Sequence, residues 1–311
     1  LRDSLNQAQA VFLAPRAGEA EGVKRHMSTA VIGTRGGVGA STLATSLAWL
    51  FATEKHMPTA LLDLDVHFGT GALALDLEPG RGLTDAIDNP SRIDGLFIER
   101  AMIRANDNLA VLSAEAPISA PLMTDGAAFV QLEEEFRQAF EMTVIDLPRN
   151  MLINFPQLLA DVNFVTIVCE FTLASARDTI RILSWLKTYA PHSQTIVLAN
   201  KAQNGLSEIS RGDFEASIER KVDFVVPYDA KAATNAAKLG QAFVEANKSS
   251  KATGQLRNIV SHILSAGDEE LVVDEPADKK SLLGSLMSTS KKAKSSASKK
   301  AKTKGAAKEN A

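Results

Sequence analysis

Short apolar runs alternate along most of the chain with longer segments of helical spacing. The apolar runs are rich in β-branched side chains, which is typical of buried strands. We predict strands at 29–33, 59–65, 109–112, 142–146, 165–170, 195–198 and 222–226. We predict helices at 42–52, 83–87, 93–103, 126–140, 172–189, 232–239 and 255–264. Because the segments between strands are long enough for helical crossovers, the pattern predicts an α/β fold, a doubly wound and mostly parallel sheet flanked by helices.

A glycine-rich turn joins the first predicted strand to the first predicted helix, with the sequence Arg-Gly-Gly-Val-Gly-Ala-Ser-Thr at 35–42. Its three glycines let the backbone curl around an anion, and the positive N-terminal end of the helix favours a phosphate there. The Ser41 hydroxyl is placed to hold Mg²⁺ between β- and γ-phosphate oxygens. The usual loop has a lysine before this serine, whereas this chain has Ala40. A glycine-rich turn without a ligand is the alternative interpretation.

Two later strands end in carboxylates. Asp63 and Asp65 close the second predicted strand, and alternation puts both side chains on one face. Asp146 closes the strand at 142–146, and Pro148 follows it. In a doubly wound sheet these strand ends line the ligand crevice. The alternative is that the three acids are ordinary helix caps or turn residues.

Three segments resemble motifs of one family, in the same order. Residues 35–42 are similar to the deviant Walker A motif of the ParA/MinD ATPases, residues 63–69 to their A′ motif, and residues 142–148 to Walker B. The resemblance covers about residues 28–266. It implies a P-loop NTPase domain that binds ATP and Mg²⁺.

The resemblance also assigns roles to individual residues. In the family, the first basic residue of the loop reaches across a nucleotide-sandwich dimer to the partner's phosphates, and Arg35 holds that position. Asp65 would position the attacking water, so Arg35 and Asp65 are the implied catalytic residues. The implied Mg²⁺ ligands are Ser41, Asp63 and Asp146. Nucleotide binding is implied for Arg35, Gly36, Gly37, Val38, Gly39, Ala40, Ser41, Thr42, Asn200, Pro227 and Asp229, with Asn200 at the adenine edge.

Arg35, Ala40 and the stretch 79–114 are closer to the CpaE/TadZ branch, the pilus-assembly relatives of MinD in the Flp (tad) type IV pilus system. This resemblance implies a homodimer formed through the nucleotide face. It also implies recruitment of a pilus secretion ATPase and inner-membrane platform proteins at the cell pole or the inner-membrane face. Because the loop lysine is absent, weak or absent ATP hydrolysis is expected. Lys201, Arg177 and Lys231 stay open as its replacement.

Two other functions stay open at this stage. One is an active partition or positioning ATPase of the MinD/ParA type. The other is a scaffold that binds no nucleotide.

Charge and composition divide the chain unevenly. The net charge of −3 includes a basic end, since ten lysines and one glutamate follow position 278. We predict a disordered Lys-rich tail at 267–311, attracted to an anionic membrane or an acidic partner, with a solubilising tail as the alternative. DNA is not an expected partner. Residues 1–27 are predicted to be a linker or the remnant of an upstream receiver-like domain. The single cysteine, Cys169, cannot form an intrachain disulfide, which favours a reducing, cytoplasmic setting.

Overall fold

The computed structural model describes residues 26–203 and 205–274, with the backbone alone described from 268 to 274. Within these residues eight strands form one sheet. They are β1 (Met27–Gly33), β2 (Thr59–Asp63), β3 (Ile103–Arg104), β4 (Leu109–Leu112), β5 (Met142–Asp146), β6 (Phe164–Cys169), β7 (Gln194–Ala202) and β8 (Phe224–Pro227). Their order is β3-β4-β2-β5-β1-β6-β7-β8, and every neighbouring pair is parallel except β3 and β4. The predicted doubly wound, mostly parallel sheet is confirmed.

Ten α-helices lie in the described part of the chain. They are α1 (Ala40–Thr53), α2 (Gly82–Asp88), α3 (Gly95–Ala101), α4 (Ala127–Ala139), α5 (Met151–Asn154), α6 (Leu173–Tyr189), α7 (Arg211–Ile218), α8 (Ala230–Leu239), α9 (Phe243–Ala246) and α10 (Lys251–Asp274). Short 3-10 segments occur at Leu73–Leu75, Pro90–Arg92 and Pro156–Leu159. None of these helices is long and apolar enough to cross a membrane.

The core lies on both faces of the central strand β1. Ala30 and Ile32 belong to an apolar cluster that includes Phe136 of α4 and Leu186 of α6. Val31 faces the opposite side, because side chains alternate along a strand, and it is fully buried as well. Helix α1 contacts β1, β2 and β5. Burial on both faces explains why these strands are continuous apolar runs.

Parallel pairing brings the carboxyl ends of β1, β2, β5, β6 and β7 to one edge of the sheet. Strand β1 lies between β5 and β6; the connection from β1 runs to β2 on one side, and the connection from β5 runs past β1 to β6 on the other. A crevice forms at such a switch point. The loop 35–42 begins there, directly after β1 and Thr34.

The structure differs from the predicted elements at several places. The helix predicted at 93–103 ends at Ala101, because Ile103 pairs with β4 in the antiparallel strand β3. Helices α5, α7 and α9 were not predicted, and each is only four to eight residues long.

The end of the chain also differs from the expectation. Helix α10 continues to Asp274, beyond the predicted start of the tail at 267. Glutamate and leucine at 269–271 favour helix, so the change to charged composition does not end it. The chain divides into two units, 1–265 and 266–311. Most of the segments predicted at 1–27 and 267–311 lie outside the described residues.

Candidate functional site

A cavity of about 520 Å³ opens over the loop between β1 and α1. It is the space that the glycine-rich turn and the carboxyl ends of the neighbouring strands enclose. Its lining comprises Gly33, residues 35–42, Asp65, Phe68, Gly69, residues 146–150 and Lys201. Every predicted nucleotide-binding residue of the loop therefore lies at this cavity.

The loop has the backbone conformation of a cradle. Gly37 (φ 79°) and Gly39 (φ 92°) adopt left-handed conformations, and Gly39 is the N-cap of α1. A methyl group added at Gly36 or Gly37 would meet no atom within 4 Å, so this backbone borders open space. Within the described residues, the main-chain N–H groups of 36–39 donate no hydrogen bond to the protein. They are available to an anion.

Ser41 and Asp146 form the acidic side of the cavity. Ser41 and Asp146 both line the cavity, and the Asp146 carboxylate lies at the end of β5 and is 7% exposed. Burial and the neighbouring Asp63 raise the pKa of Asp146 to about 7. The parallel register of β2 and β5 pairs Asp63 with Asp146 directly. A bound divalent cation would offset the repulsion between these carboxylates.

Asp63 and Asp65 occupy different environments. Asp63 is fully buried, does not line the cavity, and accepts hydrogen bonds from the N–H groups of Gly71 (2.8 Å) and Asp65 (3.1 Å). Asp65 lines the cavity and accepts a hydrogen bond from the N–H of Phe68 at 3.0 Å. The expectation that both share one strand face is wrong, because β2 ends at Asp63 and the chain then turns. The role of Asp63 as a direct metal ligand stays a prediction.

Asn200 holds the loop from the side of β7. Its amide Nδ2 donates a 2.8 Å hydrogen bond to the main-chain oxygen of Val38. The next residue, Lys201, donates to the main-chain oxygen of Gly37 and pairs with Glu170 at 3.2 Å. Adjacent strand residues normally point to opposite faces. Here a register shift between Ala199 and Ala202 and a left-handed Lys201 (φ 52°) bring both side chains to one loop.

Two predicted residues lie elsewhere. Pro227 ends β8, and the Asp229 carboxylate caps α8 by accepting a 2.9 Å hydrogen bond from the N–H of Ala232. Neither lines the loop cavity. The structure thus brings together the loop, Asp65 and Asp146, and leaves Pro227 and Asp229 outside that group.

Three cations line the cavity; sequence reasoning assigned a role to Arg35 and left Lys201 open as a replacement for the loop lysine. The Arg35 guanidinium pairs with Asp178 of α6 at 3.2 Å, and Lys201 pairs with Glu170 as described above. Arg149 was missed, although it follows Asp146 by three residues on the turn after β5. A positive charge just beyond an acid at the end of a strand was the signal that could have revealed it.

The site fits Mg²⁺ and the phosphates of a nucleotide. The open glycine backbone, the available N–H groups and the N-terminal end of α1 suit phosphate oxygens. The Ser41 hydroxyl and the Asp146 carboxylate are oxygen donors of the kind that Mg²⁺ prefers.

No protein-family model matches the chain, and no curated protein does. Solved structures do. A ParA family ATPase from Chlorobium tepidum TLS aligns with a TM-score of 0.69 and 18% identity, over 78% of this chain and 98% of that one. MinD in the MinC:MinD cell division protein complex of Aquifex aeolicus aligns with a TM-score of 0.64 and 17% identity, over 77% of this chain and 96% of that one.

A third structure was determined with a ligand. The septum site-determining protein MinD complexed with Mg-ADP, from Pyrococcus horikoshii OT3, aligns with a TM-score of 0.60 and 14% identity, over 76% of this chain and 95% of that one. At these identities the likeness concerns the fold. The chain therefore has the fold of the ParA and MinD ATPases.

Proposed function

We propose that the chain binds Mg·ATP in the loop cavity and dimerises in response. The observation that supports this most directly is the loop itself, a left-handed glycine backbone with available N–H groups beside the Ser41–Asp146 pair. A structural neighbour that was solved as a complex with Mg-ADP adds support for the same class of ligand.

Each part of the site has a defined task in this proposal. The main-chain N–H groups of 36–39 and the N-terminal end of α1 bind the phosphates. Ser41 and Asp146 hold Mg²⁺, which supplies charge neutralisation at the β- and γ-phosphate oxygens when it is bound. Asp65, at the rim of the cavity, orients water. Arg35 extends to the phosphates of the second copy.

Slow or absent hydrolysis follows from Ala40. A lysine at this position would make a charge-assisted hydrogen bond, worth roughly 1.5–3 kcal/mol in ground-state binding. Its loss weakens the transition state further, since charge develops there on the phosphate oxygens. The protein therefore acts as a switch more than as an efficient enzyme.

The finer proposal is a pilus assembly and localisation role of the CpaE/TadZ type. Its support is the sequence at 35–42 and 79–114. In this role the dimer sits at the cytoplasmic face of the inner membrane or at the cell pole and recruits the Flp (tad) pilus secretion ATPase and platform proteins. The basic residues after position 278 would attract an anionic membrane or an acidic partner.

The second candidate is an active positioning or partition ATPase. The observation that favours it is that the structural neighbours are ParA and MinD proteins. Brisk phosphate release, with salt-sensitive DNA binding for a partition role, would distinguish it.

A Mg·ATP titration of the 311-residue chain tests the proposal, with molar mass by light scattering and phosphate release followed together. Binding and a doubled mass with little phosphate release support the switch. Brisk release supports the positioning ATPase. The absence of binding at millimolar ATP contradicts both, and leaves a scaffold without nucleotide.

A further inference from the structure

The loop cavity lacks the usual lysine, but other positively charged side chains line it. Arg35, Arg149 and Lys201 all line it, together with Ala40. These three side chains differ in whether a carboxylate of the protein already pairs with them. That difference decides which of them can replace the missing lysine.

Two of the three cations are paired with carboxylates. Arg35 lies 3.2 Å from Asp178, and Lys201 lies 3.2 Å from Glu170. A phosphate would compete with these carboxylates for each cation. The net attraction that either side chain offers to a nucleotide is reduced accordingly.

Arg149 has no such partner in the part of the chain that the structure describes. Its guanidinium donates to the main-chain oxygen of Thr34, just before the loop. Within the described residues no carboxylate lies within ion-pair distance of it. The side chain is exposed to the cavity, and a guanidinium is always charged and offers several donors to phosphate oxygens.

The position of Arg149 matches the phosphates that a loop lysine serves. It stands three residues after Asp146, on the turn that leaves β5. Asp146 with Ser41 is the proposed Mg²⁺ site, and a Mg²⁺ held there would neutralise charge on the β- and γ-phosphates. A cation on the same turn would therefore be placed to act on those phosphates.

We propose that Arg149 replaces the absent loop lysine as the cation that binds the β- and γ-phosphates in the ground state, while the transition state still lacks the lysine. This inference rests on the proposed Mg·ATP binding. It also answers a question that the sequence left open. Arg177 lines a neighbouring cavity, which Arg149 and Arg181 also line, and it pairs with Asp178. Lys231 lies on α8 outside the loop cavity. Lys201 is held by Glu170 and the Gly37 carbonyl.

Arg149→Gln is the deciding variant, because glutamine keeps a polar N–H donor but has no charge. Dissociation constants for Mg·ATP are measured with the 311-residue chain, and melting temperatures without nucleotide check the fold. We expect Arg149→Gln to weaken ATP binding about 10- to 100-fold, and Arg149→Lys to retain most of the affinity. The matched control is Arg181→Met, which removes the same charge from the neighbouring cavity that Arg149 also borders. It should change the affinity less than about twofold.

A double-mutant cycle with Ala40→Lys tests whether Arg149 replaces the loop lysine. If Arg149 serves the phosphates of the missing lysine, the loss caused by Arg149→Gln should be several-fold smaller in the Ala40→Lys background. An equal loss in both backgrounds would overturn the inference, as would wild-type affinity in Arg149→Gln. Should Arg149→Gln fail to fold, Arg149→Lys and Arg149→Met go through the same cycle.

The outcome also separates this inference from the proposed function. Wild-type protein that binds no ATP contradicts the proposed function, and the assignment of Arg149 is then wrong with it. Wild-type protein that binds ATP while Arg149→Gln binds equally well contradicts the assignment of Arg149 alone.

Discussion

The Asn200 side chain donates a 2.8 Å hydrogen bond to the main-chain oxygen of Val38, and so joins the end of β7 to the middle of the phosphate loop. This contact leaves little space at the next residue. A methyl group on Gly39 would lie 2.5 Å from the Asn200 amide nitrogen. The loop is therefore fixed from behind by a side chain that resemblance had assigned to adenine.

Gly39→Ala should destabilise the protein by about 2 kcal/mol, because alanine is strained in the left-handed region and displaces the Asn200 amide. Gly36→Ala is the control, since its methyl group meets no atom within 4 Å. That variant should keep wild-type stability and lose ATP affinity, because the methyl group enters the space of the phosphates. Urea unfolding and ATP titration measure both. Equal unfolding free energies of the two variants would contradict the close approach of Asn200 to Gly39.

Asp63→Ala should mainly lower the unfolding free energy, and Asp65→Ala should mainly lower phosphate release. Removing the Asp63 carboxylate leaves the N–H groups of Gly71 and Asp65 without an acceptor, which should cost about 2–4 kcal/mol of unfolding free energy. Asp65→Ala loses one partly exposed hydrogen bond, worth about 1 kcal/mol or less. Asp65→Ala should instead slow phosphate release. Urea unfolding and a phosphate assay separate them, and the reverse order would show that Asp63 is the functional acid.

Asp146→Asn should change how the stability of the metal-free protein depends on pH. The folded pKa of about 7 lies above the unfolded value, so the native state holds the extra proton and wild-type stability falls as pH rises from about 4 to about 7. Asparagine removes that loss. In EDTA, the variant should gain stability over wild type across this window, by up to about 4 kcal/mol.

Glu133→Gln is the control for Asp146→Asn. Burial, with the nearby Asp161, also raises the pKa of Glu133 to about 7, but Glu133 lies on α4 outside the cavity. It should show a similar pH profile in EDTA and unchanged Mg·ATP binding. If the difference in unfolding free energy between wild type and Asp146→Asn does not change with pH, Asp146 is ionised throughout this range.

Asp178→Asn should promote ATP-dependent dimerisation. Burial would raise the pKa of the Asp178 carboxyl, but hydrogen bonds from Arg177 and Arg35 hold it below its usual value, so it is charged and retains Arg35 within its own chain. Freeing Arg35 should lower the ATP concentration at half dimerisation several-fold. Light scattering measures this, with Glu54→Gln as the control, which breaks a remote ion pair to Arg257. Loss of the dimer would mean that Asp178 orients Arg35 instead.

Most of the fold could be predicted because the central strands are buried on both faces. The apolar runs at β1, β2, β5 and β6 are nearly uninterrupted, and each ends at or beside a glycine or a carboxylate. Strand β3 could not be predicted, because two residues are too few to show a period. Its pairing with β4 is a tertiary effect.

The site was predictable where chemistry follows from local sequence, as at the glycines of the loop. It was less predictable where backbone geometry decides. Asp63 and Asp65 are equivalent in a pattern of alternation, and only the end of β2 at Asp63 separates them. Asn200 and Lys201 would point apart in a regular strand, and only the register shift of β7 brings both to the loop. Arg149 has no periodic signal at all.

The two borders of the sheet have a consequence for association. On one side β3 is only two residues long and antiparallel, and on the other β8 is short and ends at Pro227, which has no main-chain N–H. Short strands and proline at a border disfavour strand addition by another polypeptide. Copies of this chain at high concentration are thereby hindered from aggregating into continuous cross-chain sheets.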